Sequence, residues 1–183
     1  MVALIIVLVV VVVLALFVAG TYNGLVKLRT GVEGAWAQID VQLKRRYDLI
    51  PNLVETVKGY AAHERETLEA VISARNMAVA AKSPGEQAAA DNALTGTLKT
   101  LFAVSEAYPD LKANQNFLAL QEELTGTEGR IAYARQYYND IVQRYNARIL
   151  TFPPVIFARM FGFTAKEFFE AEPESRGNVK VQF

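Results

Sequence analysis

An uninterrupted apolar run opens the chain: Met1 to Ala19 carries no polar side chain and is crowded with Val, Leu and Ile. At 1.5 Å per residue a helix of that length is about 28 Å long, matched to the ~30 Å hydrocarbon core of a bilayer. In lipid every backbone amide must be bonded within its own segment, so the β-branched stretch Val9 to Val13 still predicts helix. Residues 1–20 are therefore expected to form a single transmembrane anchor, with residues 1–19 in contact with the bilayer. A cleaved secretory signal is the competing reading. It would need a basic start and a shorter core; no Lys or Arg precedes this core, although Val18, Ala19 and Gly20 loosely imitate a cleavage site. The first charged side chains, Lys27 and Arg29, follow the span and point to a cytoplasmic C-terminal body.

Beyond Gly20 the apolar positions take a helical period. Leu25, Val32, Ile39, Arg46 and Leu53 recur at sevens, joined by Leu28, Ala35 and Leu49. Pro51 predicts a break near Ile50, with a kink and continuation as the alternative. Val54, Val57, Ala61, Leu68, Val71 and Ala78 supply the next stripe. Ser83, Pro84 and Glu86 spell a capping box with a first-turn proline, so a new helix starts there. Phe117, Leu124, Ile131, Tyr138 and Tyr145 form the seam of the last long helix. An all-α fold is expected: helices over 22–50, 52–82, 85–107 and 110–150, packed as an up-and-down four-helix bundle over 21–152.

Pro153 and Pro154 close that pattern, and residues 153–183 form an aromatic C-terminal segment. Thr164 to Glu167 can cap a short helix over 165–171. Val179 to Phe183 alternate as an edge strand over 179–183. Exposed aromatics and an unpaired edge favour association, so Phe161, Phe163, Phe168, Phe169, Val179, Val181 and Phe183 are a candidate interface. The aromatics could equally pack within the bundle.

Composition narrows the chemistry. The 183 residues include no Cys and one His, which excludes disulfides and thiolate or paired-histidine zinc sites. Nineteen basic and nineteen acidic residues give zero net charge, and no overall field to draw nucleic acid. The cluster Lys44, Arg45 and Arg46 is followed by Asp48, a weak patch with no Gly-rich phosphate loop beside it. His63 and Glu64 begin a zinc-protease pattern, but Thr67 stands where its second His belongs. Glu55, Glu66, Glu69, Glu122, Glu123 and Glu128 lack the Glu-to-His spacing of a bundle metal site. No catalytic, cofactor or metal residue is assigned. Arg46, Glu64 and Arg75 fall on or beside apolar rows, and a buried charge needs a mate. They form a candidate polar network with Glu64 as the preferred acceptor, unless the arginine stems merely cover the core edge.

The strings YNGLVKLR (Tyr22 to Arg29) and IDVQLKRRYDLIPNLVETVKGYAAHE (Ile39 to Glu64) resemble the LemA family. The likeness continues through Asn92 to Glu128, ARQYYNDIVQRYN (Ala134 to Asn146) and FPPVIFARMFGF (Phe152 to Phe163). The resemblance implies a prokaryotic membrane protein with one N-terminal anchor and a cytoplasmic four-helix domain, and no catalytic mechanism to transfer. A membrane-tethered, self-associating scaffold or protein-interaction module is expected. Its partners would be further copies of the chain or another membrane protein. A cytoplasmic-face enzyme and a carboxylate metal-binding protein are the alternatives.

Overall fold

A computed structural model describes residues 1–169, and over them the fold is all helical, with no strand. The helices are α1 (Val2–Lys58), α2 (Arg65–Ala80), α3 (Pro84–Ser105), α4 (Pro109–Lys112), α5 (Gln115–Leu150) and α6 (Pro154–Met160). The chain divides into two compact units, one of residues 1–38 and 136–167, the other of 39–135 with 168–169. α1 and α5 contribute to both.

Pro51 does not end the first helix, which runs through it to Lys58. A helix-interior proline has no amide to give the carbonyl four residues back, here that of Tyr47. Arg75 from α2 replaces the missing donor, its Nε reaching the Tyr47 carbonyl at 3.2 Å. The expected break at Ile50 is thus displaced to Gly59, a residue that holds helical backbone poorly. The segment expected as one helix over 52–82 is divided there, with a turn tied by Ala61 N–H to the Val57 carbonyl at 2.8 Å.

The capping box at α3 forms as the sequence predicts. Ser83 accepts from the Glu86 amide at 3.2 Å, and Glu86 accepts from the Ser83 amide at 3.3 Å. The helix expected over 110–150 is interrupted after α4, because Asn114 turns its side-chain oxygen onto the Phe117 amide at 3.0 Å and starts α5 afresh.

In the first unit, α1 and α5 run antiparallel. Trp36 meets Tyr138 edge to face at 5.4 Å, and Tyr22 meets Phe161 in the same way at 5.0 Å. Leu25, Val32, Ala35, Tyr145 and Ile149 are buried in this unit. The helix expected over 165–171 is absent from residues 164–169, since α5 side chains take its backbone groups. Tyr145 donates to the Thr164 carbonyl at 2.9 Å, and Tyr138 to that of Glu167 at 2.8 Å. Asn146 binds the amide and the carbonyl of Lys166, each at 2.8 Å. The local helix lies earlier, at α6, and closes on Gly162 with φ +71°. There the Phe163 amide reaches the Ala158 carbonyl at 2.8 Å, a Schellman closure. The strand expected over 179–183, with Val179, Val181 and Phe183, lies outside the described residues.

The second unit packs the end of α1 against α2, α3 and the start of α5. Ile39, Leu43, Ile50, Leu53, Val57, Val71, Leu94, Leu98, Leu101, Phe117, Leu124 and Ile131 form its core. Two neighbouring positions of α1, Arg46 and Tyr47, bring polar chemistry into it.

Candidate functional site

Arg46 occupies a core position of the α1 heptad and is 2% exposed. Its mate is Asp91 of α3, 1% exposed, whose Oδ1 accepts from Arg46 Nη1 at 3.0 Å. Arg46 Nη2 donates to Thr95 Oγ1, one turn further along α3, at 2.8 Å. Arg135 of α5 completes the cluster: its Nη2 lies 2.9 Å from Asp91 Oδ2 and 3.2 Å from Asn92 Oδ1. The Arg135 guanidinium also lies over the Phe169 ring, 4.5 Å from its centroid. One carboxylate thus joins two guanidiniums from different helices. Burial pushes the Asp91 carboxyl above its ordinary value, while Arg46 and Arg135 pull it back.

Tyr47 is held at both ends. Its carbonyl takes the Arg75 bond at the proline, and its hydroxyl oxygen accepts from Gln87 Nε2 at 2.6 Å. Gln87 Nε2 also reaches the Ala78 carbonyl at 3.1 Å. Beside this hub a cleft of about 310 Å³ is lined by Asp40, Lys44, Tyr47, Asp48, Arg75 and Gln87, among others. Lys44 and Asp48 pair across 3.1 Å of the same helix face, so the cleft mixes both signs of charge and favours no one class of ion.

Arg46, Glu64 and Arg75 do not form the single network expected of them. Arg46 has its carboxylate mate in Asp91, and Arg75 serves the proline-orphaned carbonyl. Glu64 instead accepts from the Tyr108 hydroxyl at 2.8 Å, securing the turn before α2. Glu64 is drawn away because it lies in that turn, beyond the reach of the Arg46 layer. The expected interface is divided as well. Phe163 and Phe169 are 8% and 1% exposed, so both belong to the core, whereas Phe161 and Phe168 remain 45% and 41% exposed. Phe163 is taken up by Tyr22, at 5.9 Å between rings, and by the Arg29 guanidinium, 5.3 Å from its centroid.

Sequence reasoning missed Asp91, Gln87 and Arg135. A signal for the first two exists: the core row Leu101, Leu98, Leu94, continued backward at steps of three and four, lands on Asp91 and then Gln87. Polar residues there face the core that Arg46 enters. Among the described residues no three His, Asp or Glu side chains converge as a metal would require.

Burial raises the Tyr47 phenol well above its ordinary value, with the Asp91 charge adding to the effect. The unfolded chain therefore ionises this tyrosine before the folded one does. Its contribution to stability is complete below pH ~10, the ordinary tyrosine value, and declines as pH rises beyond it. Urea unfolding between about pH 8 and pH 11 should show that decline, with a shallower slope in Tyr47→Phe (Y47F). Parallel wild-type and Y47F profiles would assign the alkaline loss to other groups.

Residues 35–183 match the LemA family. Over 137 residues the chain is 30% identical to Protein LemA of Metamycoplasma hominis, covering 73% of this chain and 61% of that protein. It is 26% identical over 178 residues to magnetosome protein MamQ 2 of Paramagnetospirillum magneticum, covering 83% and 65%. Magnetosome protein MamQ of Magnetospirillum gryphiswaldense is 25% identical over the same length and shares. The chain thus spans a little over three fifths of the length of these relatives. Together with the apolar N-terminal helix, they suggest a membrane-associated helical protein.

Proposed function

The chain belongs to the LemA family, and from that premise we propose that it is a membrane-tethered helical scaffold that binds further copies of itself from the cytoplasmic face. The observation carrying this reading is α1. One unbroken helix begins as a wholly exposed apolar stretch fit for lipid and ends in the core of the second unit. A tether of that kind confines copies to a plane and raises their local concentration, so modest contacts suffice for assembly.

The outer side of α2 supplies such contacts. Ile72 and Met77 are exposed there, and Ile72 borders a groove of about 430 Å³ lined by Val54 and Leu68 and rimmed by the charged Glu55, Lys58, Arg65 and Glu69. Exposed apolar surface of this sort is a mark of association sites. A photoreactive residue in place of Met77, in intact membranes, should yield a cross-linked species of twice the chain's mass, weakened when Val179 to Phe183 are deleted. A chain that stays monomeric across concentration in mild detergent, and forms no such adduct in membranes, would remove self-assembly from the account.

A further inference from the structure

The C-terminal part of the first unit returns to the anchor. α6 lies against α1 where the apolar run ends: the Phe157 ring is 6.1 Å from that of Phe17, inside the run, and Phe161 is 5.0 Å from Tyr22, just past it. If Met1 to Ala19 fill the hydrocarbon core, these contacts set α6 at the boundary between lipid and water.

The surface of α6 is wrong for water. Ile156 and Met160 lie four apart on α6 and so share one side, 54% and 62% exposed, and Phe152, just before the helix, is 78% exposed. Leu150, at the end of α5, and Phe161, just after α6, are exposed as well, at 72% and 45%. Charge follows the same division. Residues 20–32 and 147–163 hold Lys27, Arg29, Arg148 and Arg159 and no acidic residue. Arg29 is engaged with Glu33 and Phe163, whereas Lys27, Arg148 and Arg159 are exposed. Aromatic and apolar side chains with neighbouring cations are the make-up of an element lying in a membrane interface, its rings at the acyl boundary and its cations toward the phosphates.

We propose that the segment Leu150 to Phe161 is a second, monotopic membrane contact, with the Ile156 and Met160 face of α6 and the preceding Phe152 embedded in the leaflet beside the anchor. This rests on the anchoring reading above. The occupant is lipid because the patch is continuous with the lipid-facing surface of α1 through the Phe17 and Phe157 contact. An insertion of this kind fixes the tilt and rotation of α1, which a lone span leaves free.

Since the chain has no cysteine, single-cysteine variants of the full chain report depth without background. Ile156→Cys and Met160→Cys, each carrying an environment-sensitive fluorophore, are compared in phosphatidylcholine and phosphatidylglycerol bilayers containing shallow or deep nitroxide lipids. Val9→Cys serves as the mid-anchor reference and Lys99→Cys, exposed on α3, as the aqueous one. Labels at 156 and 160 should be quenched by shallow nitroxides more than by deep ones, the label at 9 by deep ones, and that at 99 by neither. Adding Phe152→Glu together with Met160→Glu, both at exposed positions, should abolish the shallow quenching at 156. Quenching at 9 with none at 156 and 160 would overturn the second contact while leaving the anchor in place. No quenching at 9 would overturn both. Disulfide trapping between copies at 156, without lipid quenching, would give the patch to a second chain and likewise overturn the proposal.

Discussion

Asp91→Ala (D91A) should cost the fold about 3 to 5 kcal/mol, the loss expected when one partner of a buried ion pair is removed. The carboxylate is the common acceptor of Arg46 and Arg135, so its removal takes the counter-charge from two guanidiniums at once, though Arg135 keeps Asn92 and Phe169. Arg46 suffers more: it is nearly inaccessible, its Nε already has no acceptor among the described residues, and Thr95 would be its remaining hydrogen-bond partner among them. Arg135, at 22% side-chain exposure, can still draw on water. Arg46→Leu (R46L) should cost less, because Asp91 keeps Arg135. The double variant R46L with Asp91→Leu should regain much of the D91A loss, since matched apolar side chains remove the need for either charge. Urea unfolding of the full chain in mild detergent, read by far-UV circular dichroism, gives the ordering, and hydrogen exchange at the Leu94 and Leu98 amides localises it. A D91A variant within ~1 kcal/mol of the parent would show that the buried carboxylate carries little of the fold's stability.

That cluster also marks where one-dimensional reasoning stops. The α1 heptad placed Arg46 in the core, and the cost of an unpaired charge required a mate, both readable from spacing. Naming the mate was another matter. Asp91 is 45 positions away, and spacing ranks it no higher than Glu64 until the α3 row is extended backward from Leu94. The same distinction explains Pro51. A proline in a helical pattern reports a missing hydrogen bond, which from the sequence alone favours a break, with continuation as the alternative. Arg75 decides between them by supplying the donor from α2, a contact that depends on how two helices face each other. The capping box at Ser83 was fully legible because every participant lies within four residues. Residues 165–169 looked helical for the same local reason, yet Tyr138, Tyr145 and Asn146 outbid that preference with bonds from α5.

Phe169→Ala (F169A) should destabilise the second unit by about 3 kcal/mol, at the lower end of the loss for truncating a buried phenylalanine. The ring is 1% exposed and lies beneath the Arg135 guanidinium. Its removal takes away both a packed volume and one face of the cation that helps to hold Asp91. A cation over an aromatic ring is worth about 0.5 to 2 kcal/mol, according to how dry the site is, so most of the effect should come from the cavity. Because the side chain is internal, the loss should appear at any protein concentration. An interface residue would instead lower assembly and leave the isolated chain's unfolding unchanged. Phe168→Ala supplies the contrast: 41% exposed, it should change stability by no more than about 0.5 kcal/mol. If F169A unfolds like the parent yet shifts the chain from oligomer to monomer, Phe169 is an assembly contact and its place in the core is refuted. If F169A also weakens hydrogen-exchange protection around Asp91, the aromatic ring and the buried charges act as one unit.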